Sequence, residues 1–264
     1  MSRPPRPLPL DAECSRCGDV EEGVPAGLSS CGAVAGPGAA VLVHGLYHRP
    51  EHFDPVAEGL RAAGVDVVVP GLHRGSLAAD TEAVQDAVDA LAEAYGTPPL
   101  VLGHSYGGSV ITGLRGAGHL VYLAAFVPDA GESAAGLGGA TAELRAAVVP
   151  GGPDGATSLH PGRAADVLYA DCPGAAASRA VELLRPQGPG CGRGIPERQA
   201  WKDTGSTYVV CALDRAIDPG LQRSMAARCG SVRVWRTGHS PFVSRPGLVV
   251  DLVRERITGP SVDG

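Results

Sequence analysis

Ser105 lies in Gly103-His104-Ser105-Tyr106-Gly107, a G-x-S-x-G sequence directly after the apolar run Pro99-Leu100-Val101-Leu102. Small residues follow it, Gly107-Gly108-Ser109-Val110, of the kind that open a closely packed helix. Strand, G-x-S-x-G and helix in that order describe a nucleophile elbow, a sharp turn that lifts a serine hydroxyl above the edge of a sheet. Glycines flank the serine because a Cβ there would strike the neighbouring strand or helix. The chemistry of such a serine is acyl transfer.

A serine hydroxyl is a weak nucleophile at neutral pH. It needs a base within hydrogen-bond reach, and that base needs a carboxylate to orient it. On α/β sheets with this elbow the chain order is serine, acid, histidine. The apolar run Thr207–Ala212 is followed by Leu213-Asp214-Arg215, and Ser231–Arg236 by Thr237-Gly238-His239-Ser240. Both loops fall at the C-terminal ends of strand-like segments, where ligands bind in open α/β folds. Ser105 is therefore assigned as nucleophile, Asp214 as orienting acid, and His239 as general base and then acid. Asp218 is the competing carboxylate, but it precedes Pro219 and has the signature of a helix N-cap.

An oxyanion hole requires two backbone N–H donors. Tyr106, next after the nucleophile, supplies one. Leu46, in the loop His44-Gly45-Leu46-Tyr47 after the first strand, supplies the other. Gly45 lets that loop turn tightly, and Gly45 and Tyr47 are assigned to the substrate-binding surface. The ring of Tyr106 fits either a pocket wall or the scaffold. His44 is expected to pin the loop by hydrogen bonding and His104 to pack beside the elbow. His48 and His52 are four apart, but a third ligand and the H-E-x-x-H pattern are missing, so no metal is assigned.

These residues need a scaffold, and 264 residues suffice for one α/β domain with a lid. Glycine (38) and proline (23) together reach about twice their usual share, which calls for generous loops. Aromatic residues make up only 4%, so an aliphatic pocket suited to a small or medium acyl group is expected. The net charge of −6 speaks against nucleic acid or an anionic membrane as partner. No apolar stretch has the length of a membrane span, and Met1–Leu10 lacks the apolar core of a secretory signal. Seven cysteines without an export signal point to reduced thiols and a cytoplasmic protein.

Residues 1–38 show neither helical nor strand periodicity and are expected to form a disordered extension. Cys14-Ser-Arg-Cys17 and Cys31 lie there without the second pair a zinc site needs. Residues 39–264 carry a β/α alternation. Strands are predicted over Ala39–His44, Val65–Pro70, Leu100–Gly103, His119–Phe126, Thr207–Ala212 and Ser231–Arg236. Helices are predicted over Phe53–Ala63, Thr81–Tyr95, Tyr106–Leu114, Pro219–Arg228 and Val243–Ile257. Continuous apolar strands of this kind build a mostly parallel sheet of six strands, with helices on both faces. Residues 127–203 break the rhythm with short helical patches, Thr141–Val148, Ala164–Ala170 and Ala175–Leu184, and are expected to form a helical lid.

VLVHGLYH (41–48), GHSYGG (103–108), CALDRAI (211–217) and TGHSPF (237–242) together resemble compact bacterial α/β-hydrolases related to the plant methylesterase and hydroxynitrile lyase group. LYADC (168–172) and LLRPQ (183–187) resemble lid segments of the same family. The resemblance spans about residues 39–257 and implies the α/β-hydrolase fold, a helical lid and esterase-type chemistry without a cofactor. Hydroxynitrile lyases carry threonine at the position of Gly45 and lysine at that of Ser240, so a cyanide leaving group is disfavoured. Members of the wider group often have a tryptophan near Phe53 and an aspartate near Gly71, departures that bear on pocket shape and not on the triad. The expected activity is hydrolysis of a small to medium carboxylic ester, a small-molecule substrate, through an acyl-enzyme. A biosynthetic thioesterase, lactonase or acyltransferase, and a ligand-binding receptor on the same fold, are the alternatives.

Overall fold

Apolar segments with no polar alternation are suited to strands covered on both faces, and the four central strands of a six-stranded sheet are buried in this way, while the two edge strands are partly exposed. The computed structural model describes residues 38–152 and 154–259. Cys14, Cys17, Cys31 and the proposed extension, apart from Gly38, lie outside the described residues. The first half runs β1 (Ala39–Val43), α1 (Asp54–Ala62), β2 (Asp66–Val68), α2 (Leu77–Tyr95), β3 (Leu100–His104), α3 (Gly107–Thr112) and β4 (His119–Leu123).

An insertion follows. It holds α4 (Ala134–Leu137), α5 (Ala142–Ala147), the hairpin β5 (Val148–Pro150) and β6 (Thr157–Leu159), α6 (Pro161–Leu168) and α7 (Gly174–Glu182). The alternation then resumes with β7 (Ser206–Cys211), α8 (Pro219–Ala226), β8 (Ser231–Trp235), α9 (Pro241–Ser244) and α10 (Pro246–Thr258). The sheet order is β2-β1-β3-β4-β7-β8, and every neighbouring pair is parallel. The chain steps outward from β1 to β2 and then crosses back to β3. The loops after β1 and β3 consequently diverge at a switch point, the crevice that open α/β sheets use for ligands.

Alternate residues of the strands feed two cores. Val41, Val43 and Val101 pack with Leu77, Val84, Val88 and Leu91 of α2 and Val110 and Ile111 of α3. Ala40, Leu42 and Leu102 pack with Val56 and Leu60 of α1 and Val249, Leu252 and Val253 of α10. A smaller core of Ala147, Leu159, Ala164, Val167, Leu168, Tyr169 and Ala180 belongs to the insertion, with Ala216 added from the loop after β7.

Three elements differ most from the sequence reading. The helix predicted from Thr81 starts at Leu77, because Ser76 Oγ accepts the Ala79 N–H at 3.1 Å and caps it. The single closing helix predicted over Val243–Ile257 is divided into α9 and α10. Pro246 disfavours a helical conformation at the residue before it, and Arg245 sits at φ −144°, ψ 57°. The insertion, expected to be helical, also contains the β5–β6 hairpin, whose three-residue strands are too short to show a period. Among the described residues no helix is long and apolar enough to cross a membrane. Cys172, Cys191, Cys211 and Cys229 are free.

Candidate active site

From Pro99 to Thr112 every residue is buried except Ser105. Its backbone is held at φ +54°, a left-handed conformation that costs a non-glycine residue on the order of 1 kcal/mol or more. The surroundings fix it. Ser105 N–H donates to Leu123 O at 3.3 Å, and Ser105 O accepts from Gly108 N at 3.0 Å and Phe126 N at 3.1 Å. A Cβ on Gly103 would lie 2.6 Å from Gly107 O, and one on Gly107 2.5 Å from Val43 O. One on Gly108 would lie 2.2 Å from Phe126 O. All three obstacles are backbone atoms, so the glycines are steric requirements of the turn. Tyr106, the residue after the serine, turns its ring into the core and donates its hydroxyl to Asp80 Oδ2 at 2.8 Å. Its side chain is scaffold, and its N–H lies at the start of α3.

Asp214 and His239 come from the loops after β7 and β8. Asp214 Oδ1 accepts the N–H groups of Ala216 (2.7 Å) and Ile217 (3.0 Å). Its Oδ2 accepts Gln222 Nε2–H and His239 Nδ1–H, both at 2.7 Å. A carboxylate accepts here, so in its neutral form His239 carries its proton on Nδ1 and presents the lone pair on Nε2, the nitrogen a general base must offer. Both side chains are almost sealed from solvent. Asp218, the rival acid, instead caps α8 through Oδ1 and the Leu221 N–H.

The loop after β1 faces the elbow. A Cβ on Gly45 would lie 2.9 Å from Ser105 Cβ, 3.3 Å from Ser105 Oγ and 3.1 Å from His104 Nδ1. Gly45 is buried, while Leu46 and Tyr47 are half-buried. Tyr47 has φ +64°, and its hydroxyl meets Thr157 Oγ1 of the insertion at 3.0 Å. His44 holds the loop as expected, donating from Nδ1 to Gly45 O at 2.9 Å and accepting Leu72 N–H on Nε2 at 3.3 Å. The loops bearing Gly45, Ser105 and His239 thus meet around His104, whose Nε2–H donates to His239 O at 3.0 Å.

His48 and His52 join this group in a way the sequence does not reveal. Ring centroids are 4.6 Å apart for His52–His48, 5.3 Å for His48–His104 and 4.5 Å for His104–His239. Each ring's partners fix its tautomer. His48 donates from Nδ1 to Leu46 O, which leaves Nε2 to accept the Tyr169 hydroxyl at 3.1 Å. His52 accepts Arg49 N–H on Nδ1 and donates from Nε2 to Ala180 O of α7. Burial holds His48 and His104 well below the ordinary histidine range, and neighbouring imidazoles add to the effect. Burial also lowers His52, against its backbone hydrogen bonds. Burial takes His44 down to about 3, opposed by its bond to Gly45 and reinforced by His73 and Arg185. Among the described residues no three His, Cys, Asp or Glu side chains are placed to hold a metal ion. A cleft of about 730 Å³ between α1 and α7 is lined by Glu51, Asp54, Glu58, Arg179 and Glu182, and none of Ser105, Asp214 and His239 borders it.

Sequence reasoning missed Asp80, Gln222, Tyr169 and Arg185. Two had a signal. Asp80 interrupts the apolar stripe Leu77, Val84, Val88, Leu91 of α2, and Gln222 shares the buried side of α8 with Met225 and Ala226.

Fold, elbow and switch-point site are those of the α/β-hydrolases, and the chain belongs to the alpha/beta hydrolase family, which it matches over residues 40–252. It is 31% identical over 241 residues to the alpha/beta hydrolase nvfD of Aspergillus novofumigatus (strain IBT 16806), covering 82% of this chain and 95% of that protein. It is 34% identical over 108 residues to a carbendazim hydrolyzing esterase of Nocardioides sp. (strain SG-4G), covering 35% of this chain and 44% of that protein. The structure of methylesterase MES16 from Arabidopsis is similar with a TM-score of 0.67 at 18% identity, over 84% of this chain and 99% of that one. The expected likeness to plant methylesterases holds at the level of the fold.

Proposed function

We propose that the protein is a serine hydrolase that cleaves a small to medium carboxylic ester through an acyl-enzyme. The observation that carries this reading is the Asp214–His239 pair, with its 2.7 Å hydrogen bond favouring the Nδ1–H tautomer, together with a strained Ser105 that is the one unburied residue of its segment. Ser105 Oγ attacks the ester carbonyl carbon and its proton passes to His239 Nε2. The carbonyl π pair moves onto oxygen, which the N–H groups of Leu46 and Tyr106 stabilise. The tetrahedral intermediate collapses, the C–O bond to the alcohol breaks, and His239 returns the proton to the departing oxygen. Water then gives a proton to His239 as its oxygen attacks the acyl carbon, the bond to Ser105 Oγ breaks as His239 passes that proton to Oγ, and the acid leaves. Asp214 stabilises the imidazolium in both halves, and no cofactor enters the scheme. Gly45 and Tyr47 are assigned to the substrate-binding surface, and the insertion to the lid. Esterase names among the relatives point the same way.

The test is fluorophosphonate labelling of the purified protein with peptide mapping, beside Ser105→Ala and a panel of esters, thioesters and lactones. The expected result is one adduct on Ser105 and a loss of at least about 1,000-fold in ester turnover in the variant, with the melting curve retained. A folded wild type that takes no label, or a variant that turns over normally, refutes the reading. Preference for thioesters over simple esters would move the assignment to the thioesterase class.

A further inference from the structure

We propose that Arg185, at the end of the insertion, is a positioning residue that locks the oxyanion loop and with it the Leu46 N–H. The proposal rests on the acyl-transfer reading above. An oxyanion donor is effective only when its peptide plane is fixed before the charge develops, so what holds that plane matters as much as the donor.

The loop after β1 has four successive carbonyls, and each is engaged. Gly45 O, which shares its peptide plane with the Leu46 N–H, accepts from His44 Nδ1. Leu46 O accepts from His48 Nδ1. Tyr47 O accepts the Arg185 main-chain N–H at 2.9 Å, and His48 O accepts Arg185 Nε–H at 3.2 Å. The same guanidinium donates from Nη2 to Leu72 O at 2.8 Å. Leu72 N–H in turn donates to His44 Nε2, which closes a ring of bonds from residue 44 through Arg185 and residue 72 back to 44.

One rigid planar group therefore ties the loop after β1 to the loop after β2, the two segments that flank the switch-point crevice on one side. Lysine, a single ammonium on a flexible stem, does not reproduce that fork. Tyr47 needs the support. A non-glycine residue at φ +64° persists only where its surroundings over-determine it, and the Arg185 N–H on its carbonyl is one such constraint. Among the described residues Arg185 forms no ion pair, so no contacting carboxylate cancels its charge beside a loop meant to face a developing anion.

The test compares wild type with Arg185→Met and Arg185→Lys in the full chain. Four quantities are measured: kcat and KM on a p-nitrophenyl ester, the inhibition constant of an aryl trifluoromethyl ketone, and amide exchange of the peptide spanning 44–49. Deleting one oxyanion donor costs roughly 100- to 1,000-fold in other enzymes, and a loosened donor should cost less. Arg185→Met should lose about 10- to 100-fold in kcat, with KM within about threefold. Its ketone affinity should fall in proportion to kcat/KM, and its loop should exchange faster. Arg185→Lys, which keeps the charge without the fork, should fall between and remains as the probe if the methionine variant does not fold. A packing role alone would lower thermal stability without moving kcat or ketone affinity in the folded fraction. Unchanged kcat and ketone affinity overturn the proposal, whether or not exchange rises. If wild-type Ser105 takes no fluorophosphonate, the hydrolase reading fails by itself. The exchange comparison then decides the lock, and unchanged exchange overturns it.

Discussion

The buried histidines should make this protein unfold in mild acid. His44, His48 and His104 are each at most 1% exposed, and burial is the main cause that lowers all three. The hydrogen bonds explain why the folded form refuses a second proton. His44 Nε2 already faces the Leu72 N–H, and His48 Nε2 faces the Tyr169 hydroxyl. A base whose folded pKa is depressed takes up protons more readily in the unfolded chain. Its contribution to stability is therefore complete above the unfolded value, near 6.5, and is lost as pH falls towards the folded one, which for His44 is about 3. Each imidazole that stays neutral in the fold costs about 1.4 kcal/mol per pH unit below 6.5, or about 2 kcal/mol at pH 5. Three that stayed neutral to that pH would together cost about 6 kcal/mol, comparable with the total stability of an ordinary domain. His52 and His73 are displaced in the same direction, also mainly by burial.

The assay is urea unfolding followed by the fluorescence of Trp201 and Trp235 over a series of pH values from about 8 to about 5. The slope of unfolding free energy against pH near 5.5 should correspond to uptake of at least about three protons, roughly 4 kcal/mol per pH unit or more, with His52 and His73 adding to it. His44→Gln should reduce that uptake by about one proton. A urea midpoint that does not move between pH 8 and pH 5 would refute the reasoning, as would an unchanged proton uptake in His44→Gln.

Gly108→Ala places a Cβ 2.2 Å from Phe126 O and 2.7 Å from Ala125 Cβ, and should destabilise by about 3 kcal/mol or more while displacing the elbow. A thermal melt and an ester assay check this, and wild-type values in both would contradict the steric account. Gln222→Leu strips the buried carboxylate of Asp214 of one donor and leaves Cys211 N–H and Ile217 O unpaired. At about 1–3 kcal/mol for each stranded group, the melting temperature should drop by roughly 10 °C and turnover should fall with it. A drop of only a degree or two would mean that water replaces the amide.

What was legible in the sequence followed from periodicity and from local steric rules. The strand leading to Ser105 is a continuous apolar run, those leading to Asp214 and His239 are rich in valine, and the elbow glycines announce a turn that admits no Cβ. The Asp218 cap was visible because Pro219 follows it. The remainder depends on contacts across long stretches of chain. His48 touches Tyr169, 121 residues away, and Arg185 reaches His48 and Leu72 across 137 and 113 residues. No local pattern encodes such a partner. The β5–β6 hairpin was hidden for another reason, since three residues per strand cannot display a period of two. The division at Pro246 follows from the proline rule, which disfavours a helical Arg245.

The segment after β1 is sewn to the insertion at four points: Tyr47 to Thr157, His48 to Tyr169, the 47–48 backbone to Arg185, and His52 to Ala180. For anyone grafting a foreign lid to change what the pocket admits, the natural unit of exchange is therefore not residues 127–203 alone. A chimera cut at those borders would pair a new lid with an old loop and leave His48, His52 and the loop carbonyls without their partners. Residues 44–53 should travel with the insertion, as two halves of one part that the chain happens to encode far apart.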